Sequence, residues 1–315
     1  MIYDLIIIGG GPAGITAGIY AARQRLKALL IAKGLSNQIS KKSVLIENYP
    51  GFPEISSIEL LQKFQEHLEK FVKKGYIEAK QDTVIEVELI KEKNIFLVKT
   101  TKNQKFQAKA VIVATGADPR PLEVPGEKEF IGKGVSYCVT CDAAFFKDKT
   151  VVVIGGGDAG FEAAIALAKW AKEIYILEAG EEVKADKINQ EEAKKARKIE
   201  IITNAILKEI KGDNFVNSIS YFDRKENKEK NLKVDGIFVE IGTQPATAFV
   251  KGLVEFNERD EIKVDPFTGE TSMSGIFAAG DADNVPYKQI VIAAGEGAKA
   301  AISSAKYIKK LNTKY

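Results

Sequence analysis

Among 315 residues there are only two cysteines, two methionines, one tryptophan and one histidine. That poverty excludes several classes. A self-contained zinc site usually takes four Cys or His ligands. The only histidine, His67, sits in the charged helical stretch "LQKFQEHLEKFVKK", remote from Cys138 and Cys141. No metal site is expected, and His67 reads as a solvated helix residue. The net charge of +3 is small for this length, which argues against a protein that holds nucleic acid by its charge. No apolar run approaches the length of a membrane span. Residues 1–8 are apolar but too short for a signal core, and they run straight into "GGGPAG". Without an export signal the expected compartment is the cytoplasm, where thiols are usually reduced and a paired CxxC is more often catalytic or metal-binding than a staple. Abundant lysine and glutamate beside scarce cysteine, methionine and histidine point mildly to a heat-adapted source.

What is present is the composition of a soluble globular chain, 45% apolar and 28% charged, long enough for two domains. Residues 3–8 are an isoleucine-rich run that reads as a buried parallel strand. Gly9-x-Gly11-x-x-Gly14 follows, and then an alanine-rich helical stretch over 12–24. Between strand and helix, such a fingerprint marks a dinucleotide site. Gly9 allows the tight turn, Gly11 lets the backbone approach a pyrophosphate, and Gly14 lets the helix pack on the strand. The pattern recurs as strand 150–154, Gly155-x-Gly157-x-x-Gly160 with Asp158 in its variable part, and helix 158–171. Each opening is echoed by an apolar strand ending at glycine, "AKAVIVATGADPRP" (108–121) and "VDGIFVEIGTQPAT" (234–247), which read as crossings between domains. Near the C-terminus a strand over 275–279 ends at Gly280-Asp281, and an alanine-rich helix is expected from 288 to 309.

Both cysteines lie in "SYCVTCDAAFF" (136–146), with Asp142 directly after Cys141. A metal clip, a staple and a redox couple all use such spacing. The ligand count nearly removes the first, and the expected compartment disfavours the second. A CxxC of the thioredoxin kind would follow a strand of a thioredoxin βαβ unit, whereas the strand after this one opens a dinucleotide fold. A redox pair in another context is the reading, with two stray loop thiols as the bland alternative. The chemistry needs both sulfurs, one to attack a disulfide and one to resolve the mixed intermediate. Asp142 could equally cap a helix.

The order GGGPAG, ATG, CVTCD, GGGDAG, GIFAAGD closely resembles the low-molecular-weight thioredoxin reductases, within the FAD-dependent pyridine nucleotide-disulfide oxidoreductases, over essentially the whole chain. In the glutathione-reductase-like branch the redox cysteines lie early, but here the first 137 residues contain none. The resemblance implies an α/β fold of two Rossmann-like dinucleotide-binding domains, the second inserted into the first. Residues 1–117 and 246–315 would form a split FAD domain, and 118–245 a nicotinamide-type domain carrying the dithiol. That domain would swing between two poses about the crossings, in a homodimer. Cys141 would exchange electrons with the flavin, Cys138 would attack the substrate disulfide, and Asp142 would protonate the leaving thiolate.

The same resemblance carries FAD contacts onto Gly9, Gly11, Pro12, Ala13 and Gly14. It adds the segment Lys33 to Gln38, Asn48, Ala114-Thr115-Gly116, and Gly280, Asp281, Lys288, Gln289 and Ile290. The acid that often binds a ribose hydroxyl about 20 residues after the first fingerprint is missing, Lys33 standing at the strand end; thioredoxin reductases tend to lack it too. Asp281 would accept from the ribityl chain, and the helix starting near Lys288 would aim its dipole at the flavin's pyrimidine edge. Without the resemblance, Gly280-Asp281 is only a strand-ending turn.

Around the second fingerprint, Gly155, Gly157, Asp158 and Gly160 would meet a nicotinamide nucleotide. NADPH-using relatives show His-Arg-Arg where this chain has Glu178-Ala179-Gly180, and Lys184 replaces a later arginine. Glu178 would favour a free 2′-hydroxyl and repel a 2′-phosphate. NADH is therefore the expected donor, NADPH a disfavoured one. Ferredoxin or a deazaflavin is the alternative donor if the second loop is a relic and Glu178 a solvated strand-end residue. The expected acceptor is thioredoxin or a thioredoxin-like protein. A dithiol oxidase, a flavoprotein feeding a peroxidase and a non-enzymatic redox sensor are the rivals.

Overall fold

An isoleucine-rich run decides the first element. The computed structural model, which describes residues 1–34, 45–46 and 48–313 and omits the side chains of 45, 140 and 141, places Ile2–Ile8 in the centre of a seven-stranded sheet. Ala28–Ala32 and Lys105–Val113 flank it in parallel register, with Leu5 opposite Ala28 and Ala110. Strands covered on both faces have no polar side to keep, which is why Leu5, Ile6 and Ile7 are all fully buried. Lys105–Val113 is long enough to be shared. Its first residues pair antiparallel with Ile95–Thr100, and its last three pair parallel with Ile276–Ala278.

The chain forms two compact units, 1–118 with 244–315, and 119–243. In the first unit Pro12–Arg23 and Ile290–Asn312 pack on the parallel strands. Their approach is close because their facing residues are small: a Cβ on Gly297 would lie 2.0 Å from the Ala13 carbonyl oxygen. The C-terminal helix begins at Ile290 rather than 288. Tyr287 has φ +67 and Gln289 is extended, so the backbone cannot be helical before that point.

The second unit repeats the plan at smaller scale. Its five-stranded parallel sheet runs Val135–Ser136, Gly236–Val239, Thr150–Ile154, Glu173–Leu177, Ile199–Ile202, beside a three-stranded antiparallel sheet. The helix expected to reach 171 ends at Leu167. A turn over 168–170 follows, because the chain must reverse to enter the strand at Glu173. His67 is exposed on the helix Ser57–Lys73, with its ring against Phe71. Among the described residues no helix is long and apolar enough to cross a membrane.

Candidate functional site

The first glycine turn lines a cleft of about 510 Å³ in the first unit, within the range of small-molecule and cofactor sites. Gly9 has φ +125, and a Cβ there would lie 2.0 Å from the Ala114 carbonyl oxygen. Gly14 packs so tightly that its Cβ would lie 2.0 Å from the Gly9 oxygen. Gly11, by contrast, faces open space. The turn thus brings helix Pro12–Arg23 end-on to the cleft.

Gly9, Gly11, Pro12, Ala13, Lys33, Ala114, Thr115 and Gly116 all line this cleft, and so do Gly280, Asp281, Lys288, Gln289 and Ile290. Gly14 is not among the lining residues and packs on the Gly9 carbonyl instead. Asn48 joins through its side-chain amide, which donates to Gln289 Oε1 at 3.2 Å, a contact between residues 241 apart in sequence. Gln38 lies outside the described residues.

Three features fit a dinucleotide with an anionic middle. Neither helix that starts at the cleft has a side-chain N-cap or an acidic first turn, at Gly11 or at Gln289. Their terminal N–H groups therefore have no internal acceptor and favour a negative ligand. The hydroxyl of Thr115 is buried and has no hydrogen-bond partner among the described residues, and a buried polar atom of that kind calls for one.

Behind Gly280 lies a group of acids. Glu296 is 6% exposed, and its Oε2 accepts the Gly280 N–H at 2.8 Å. Asp283 is 1% exposed, and its Oδ1 accepts the Val285 N–H at 2.9 Å. Lys288 donates to the Asp283 carbonyl, and its ammonium lies 3.4 Å from Glu261. Burial raises the carboxyls of Asp281 and Glu296 above the ordinary range. Burial first, and the charge of Glu296 second, push Asp283 up to about 7. Between 3.8 and about 7 the folded chain keeps a proton that the unfolded chain has lost, so this group costs stability as pH rises through that window. Asp283→Asn should therefore stabilise the protein at pH 8, by on the order of 2–4 kcal/mol, and by little near pH 4. Urea unfolding at the two pH values checks it; an equal effect at both would refute the account.

The dithiol loop belongs to the second unit. Cys138 precedes the single helical turn Val139–Asp142 and is disulfide-bonded. The side chain of the other cysteine, Cys141, lies outside the described residues. Asp142 is half-buried, and its Oδ2 accepts the Ser136 hydroxyl at 2.6 Å. On the other side Glu127, 2% exposed, accepts from the N–H groups of Leu122 and Glu123 at 2.8 Å and from the Tyr137 hydroxyl. Burial first, then that hydrogen bond, raises the Tyr137 phenol. The residue before Cys138 is thereby clamped to a buried carboxylate.

The second glycine turn reproduces the first. Gly155 has φ +121 with its Cβ position 2.3 Å from the Glu240 oxygen, and Gly160 packs against the Gly155 oxygen. Gly157 caps helix Asp158–Leu167. Glu178 is turned onto this loop: its oxygens accept the N–H groups of Gly156 and Gly180, each at 2.7 Å. Asp158 accepts from the Asp186 N–H and the Asn189 amide, and the Lys184 N–H donates to the Gly156 carbonyl.

A family model described as pyridine nucleotide-disulphide oxidoreductase matches residues 3–297. The chain belongs to this family. Thioredoxin reductase of Peptoclostridium litorale is 39% identical over 320 residues, 98% of each chain. An alkyl hydroperoxide reductase component of Escherichia coli is 39% identical over 312 residues, 99% of this chain but 59% of that protein's length. The crystal structure of thioredoxin reductase from Lactococcus lactis superposes with a TM-score of 0.83 at 36% identity, covering 98% of this chain and 99% of that one. The fold is thus the α/β fold of these pyridine nucleotide-disulphide oxidoreductases, and the chain is thioredoxin-reductase-like in both sequence and structure.

Several site residues escaped sequence reasoning. Glu296 is a lone acid in "AAGEGAKAA", a faint signal. Asp82 and Thr83, which line the cleft after strand Glu78–Gln81, carry none. Ser136 and Glu127 matter only through what they touch, and composition cannot report that.

Proposed function

We propose that this chain is an FAD-dependent disulfide reductase. It takes electrons from NADH in preference to NADPH and passes them through FAD and the Cys138/Cys141 dithiol to thioredoxin or a thioredoxin-like protein. The observation that carries the reading is the disulfide-bonded Cys138 four residues before a carboxylate held in the same loop. A thiol pair beside a proton carrier is what disulfide exchange needs. FAD, when bound, supplies two-electron transfer between a nicotinamide and a disulfide. The chain's own residues bind and orient. Gly9, Gly11 and the start of helix Pro12–Arg23 hold the pyrophosphate, and Thr115 offers its unpaired hydroxyl. Asp281 would accept from the ribityl chain, and the uncapped helix start at Gln289–Ile290 would favour negative charge on the ring. Gly155, Gly157, Asp158, Gly160 and Glu178 receive the nicotinamide nucleotide.

The unit 119–243 is the nicotinamide-type domain in this reading, and it rotates about the two crossings within a homodimer. The likeness to the alkyl hydroperoxide reductase component supports a second reading, in which the acceptor is a disulfide module that feeds a peroxidase.

Anaerobic reduction of the purified flavoprotein by NADH, NADPH and reduced ferredoxin in turn, followed by oxidation with thioredoxin or a peroxidase, tests both. Reduction by NADH and reoxidation by thioredoxin is the expected outcome. Reoxidation only by the peroxidase system selects the second reading. A colourless protein that cannot be reconstituted with FAD refutes both.

A further inference from the structure

We propose that Ser136 is the positioning residue that holds the Asp142 carboxyl in place on the Cys138–Asp142 turn in both of its protonation states. The inference rests on the reading of Asp142 as the acid of disulfide exchange. Ser136 ends the edge strand Val135–Ser136 of the second unit's sheet and is 6% exposed. Its hydroxyl oxygen is 2.6 Å from Asp142 Oδ2 and 3.2 Å from the Cys138 carbonyl oxygen, and it accepts the Cys138 N–H at 3.0 Å. The Asp142 N–H donates to the same Cys138 carbonyl at 3.2 Å. One side chain therefore touches both ends of the Cys138–Asp142 turn.

A hydroxyl has a single hydrogen, and this one has two acceptors for it. The shorter contact, to Asp142 Oδ2, takes it. When Asp142 is ionised, Ser136 donates to Oδ2, and 2.6 Å is the separation of a charge-assisted O–H···O⁻ bond. When Asp142 is protonated on Oδ1, with that proton available for the leaving sulfur, Oδ2 still accepts from Ser136. The Ser136–Asp142 hydrogen bond is kept in both states, so the carboxyl keeps its place while its proton comes and goes.

That matters at one step. The Cys138 thiolate attacks a substrate disulfide, forming one S–S bond as the substrate's S–S bond breaks. The electron pair leaves on the departing sulfur, which takes the Asp142 proton. Asp142 regains a proton from the Cys141 thiol as that sulfur attacks Cys138, closing the protein disulfide and releasing the second substrate sulfur with its electron pair. Two protein sulfurs are oxidised and two substrate sulfurs reduced, and Ser136 ends as it began.

The test uses leaving-group chemistry. A dialkyl disulfide departs as a basic thiolate that needs a proton, whereas a nitroaryl disulfide departs as a weakly basic thiolate that does not. The full-length flavoprotein is reduced with dithiothreitol, desalted anaerobically and mixed with 2-hydroxyethyl disulfide or with a bis(nitrobenzoate) disulfide. Formation of the protein disulfide is followed by maleimide quenching and mass spectrometry. Ser136→Ala should slow the dialkyl reaction about tenfold, the worth of one hydrogen bond of ordinary strength, and leave the nitroaryl reaction unchanged. Ser136→Thr, which keeps the hydroxyl, should restore the dialkyl rate. In an Asp142→Asn background, Ser136→Ala should cost nothing further. Equal slowing with both disulfides, an undiminished effect in the Asp142→Asn background, or no effect at all would overturn the proposal. If the wild-type dithiol reacts with neither disulfide, the dithiol reading of the whole site falls, and this proposal with it.

Discussion

Cys138→Ser should stop turnover with any protein disulfide, by on the order of a thousandfold or more, while leaving reduction of the bound flavin intact. The hydroxyl of serine cannot exchange with a disulfide at neutral pH, because the nucleophile in exchange is a thiolate. Cys138 is the thiol proposed to meet the substrate. It sits in a turn fixed from both sides, by Tyr137 on Glu127 and by Ser136 on Asp142, so the substitution should leave the loop folded. Electrons would still arrive, because the proposed route from nicotinamide to flavin uses neither sulfur. Stopped-flow absorbance of the flavin separates the two half-reactions, with thioredoxin reduction measured alongside. A Cys138→Ser/Cys141→Ser variant that reduces thioredoxin at the normal rate would refute the dithiol mechanism.

NADH should reduce the flavin ten- to several-hundred-fold more effectively than NADPH. Where NADPH-using relatives hold His-Arg-Arg, this chain has Glu178-Ala179-Gly180. Losing a charge-assisted bond and meeting a carboxylate should each cost about 1–3 kcal/mol, and about 1.4 kcal/mol is a factor of ten. The structure sharpens the argument. Glu178 is held at the glycine turn by the N–H groups of Gly156 and Gly180, so it cannot swing away from an incoming phosphate without giving up two hydrogen bonds. Lys184, exposed on the segment that folds back on Gly156, recovers part of the cost. Stopped-flow reduction with each nucleotide decides the matter. Faster reduction by NADPH would refute the charge argument, and reduction by neither would shift the donor to ferredoxin or a deazaflavin. Installing the basic cluster, Glu178→His with Ala179→Arg and Gly180→Arg, should reverse the preference.

The two glycine turns were legible because their cause is local. Strand, turn and helix follow one another within about twenty residues, and each glycine answers a clash with a neighbouring backbone: Gly14 with Gly9, Gly160 with Gly155. The dithiol was legible for a different reason. Two cysteines in the whole chain leave few readings, and a carboxylate directly after them narrows those further.

Family membership and the two glycine turns therefore came from the sequence by itself, and so did the spacing of the two cysteines. Helix ends did not. Leu167 and Ile290 are set by where the chain must turn to meet the next element, which local propensity does not record. Tertiary structure alone decided that Glu296 holds the Gly280 N–H, that Asn48 meets Gln289 and that Glu178 braces its own loop. It also decided that Ser136 stands between Cys138 and Asp142. Their effect depends on distance and burial. A carboxylate is ordinary in water, but out of water it must find donors or keep its proton, and only the folded chain determines which of these happens.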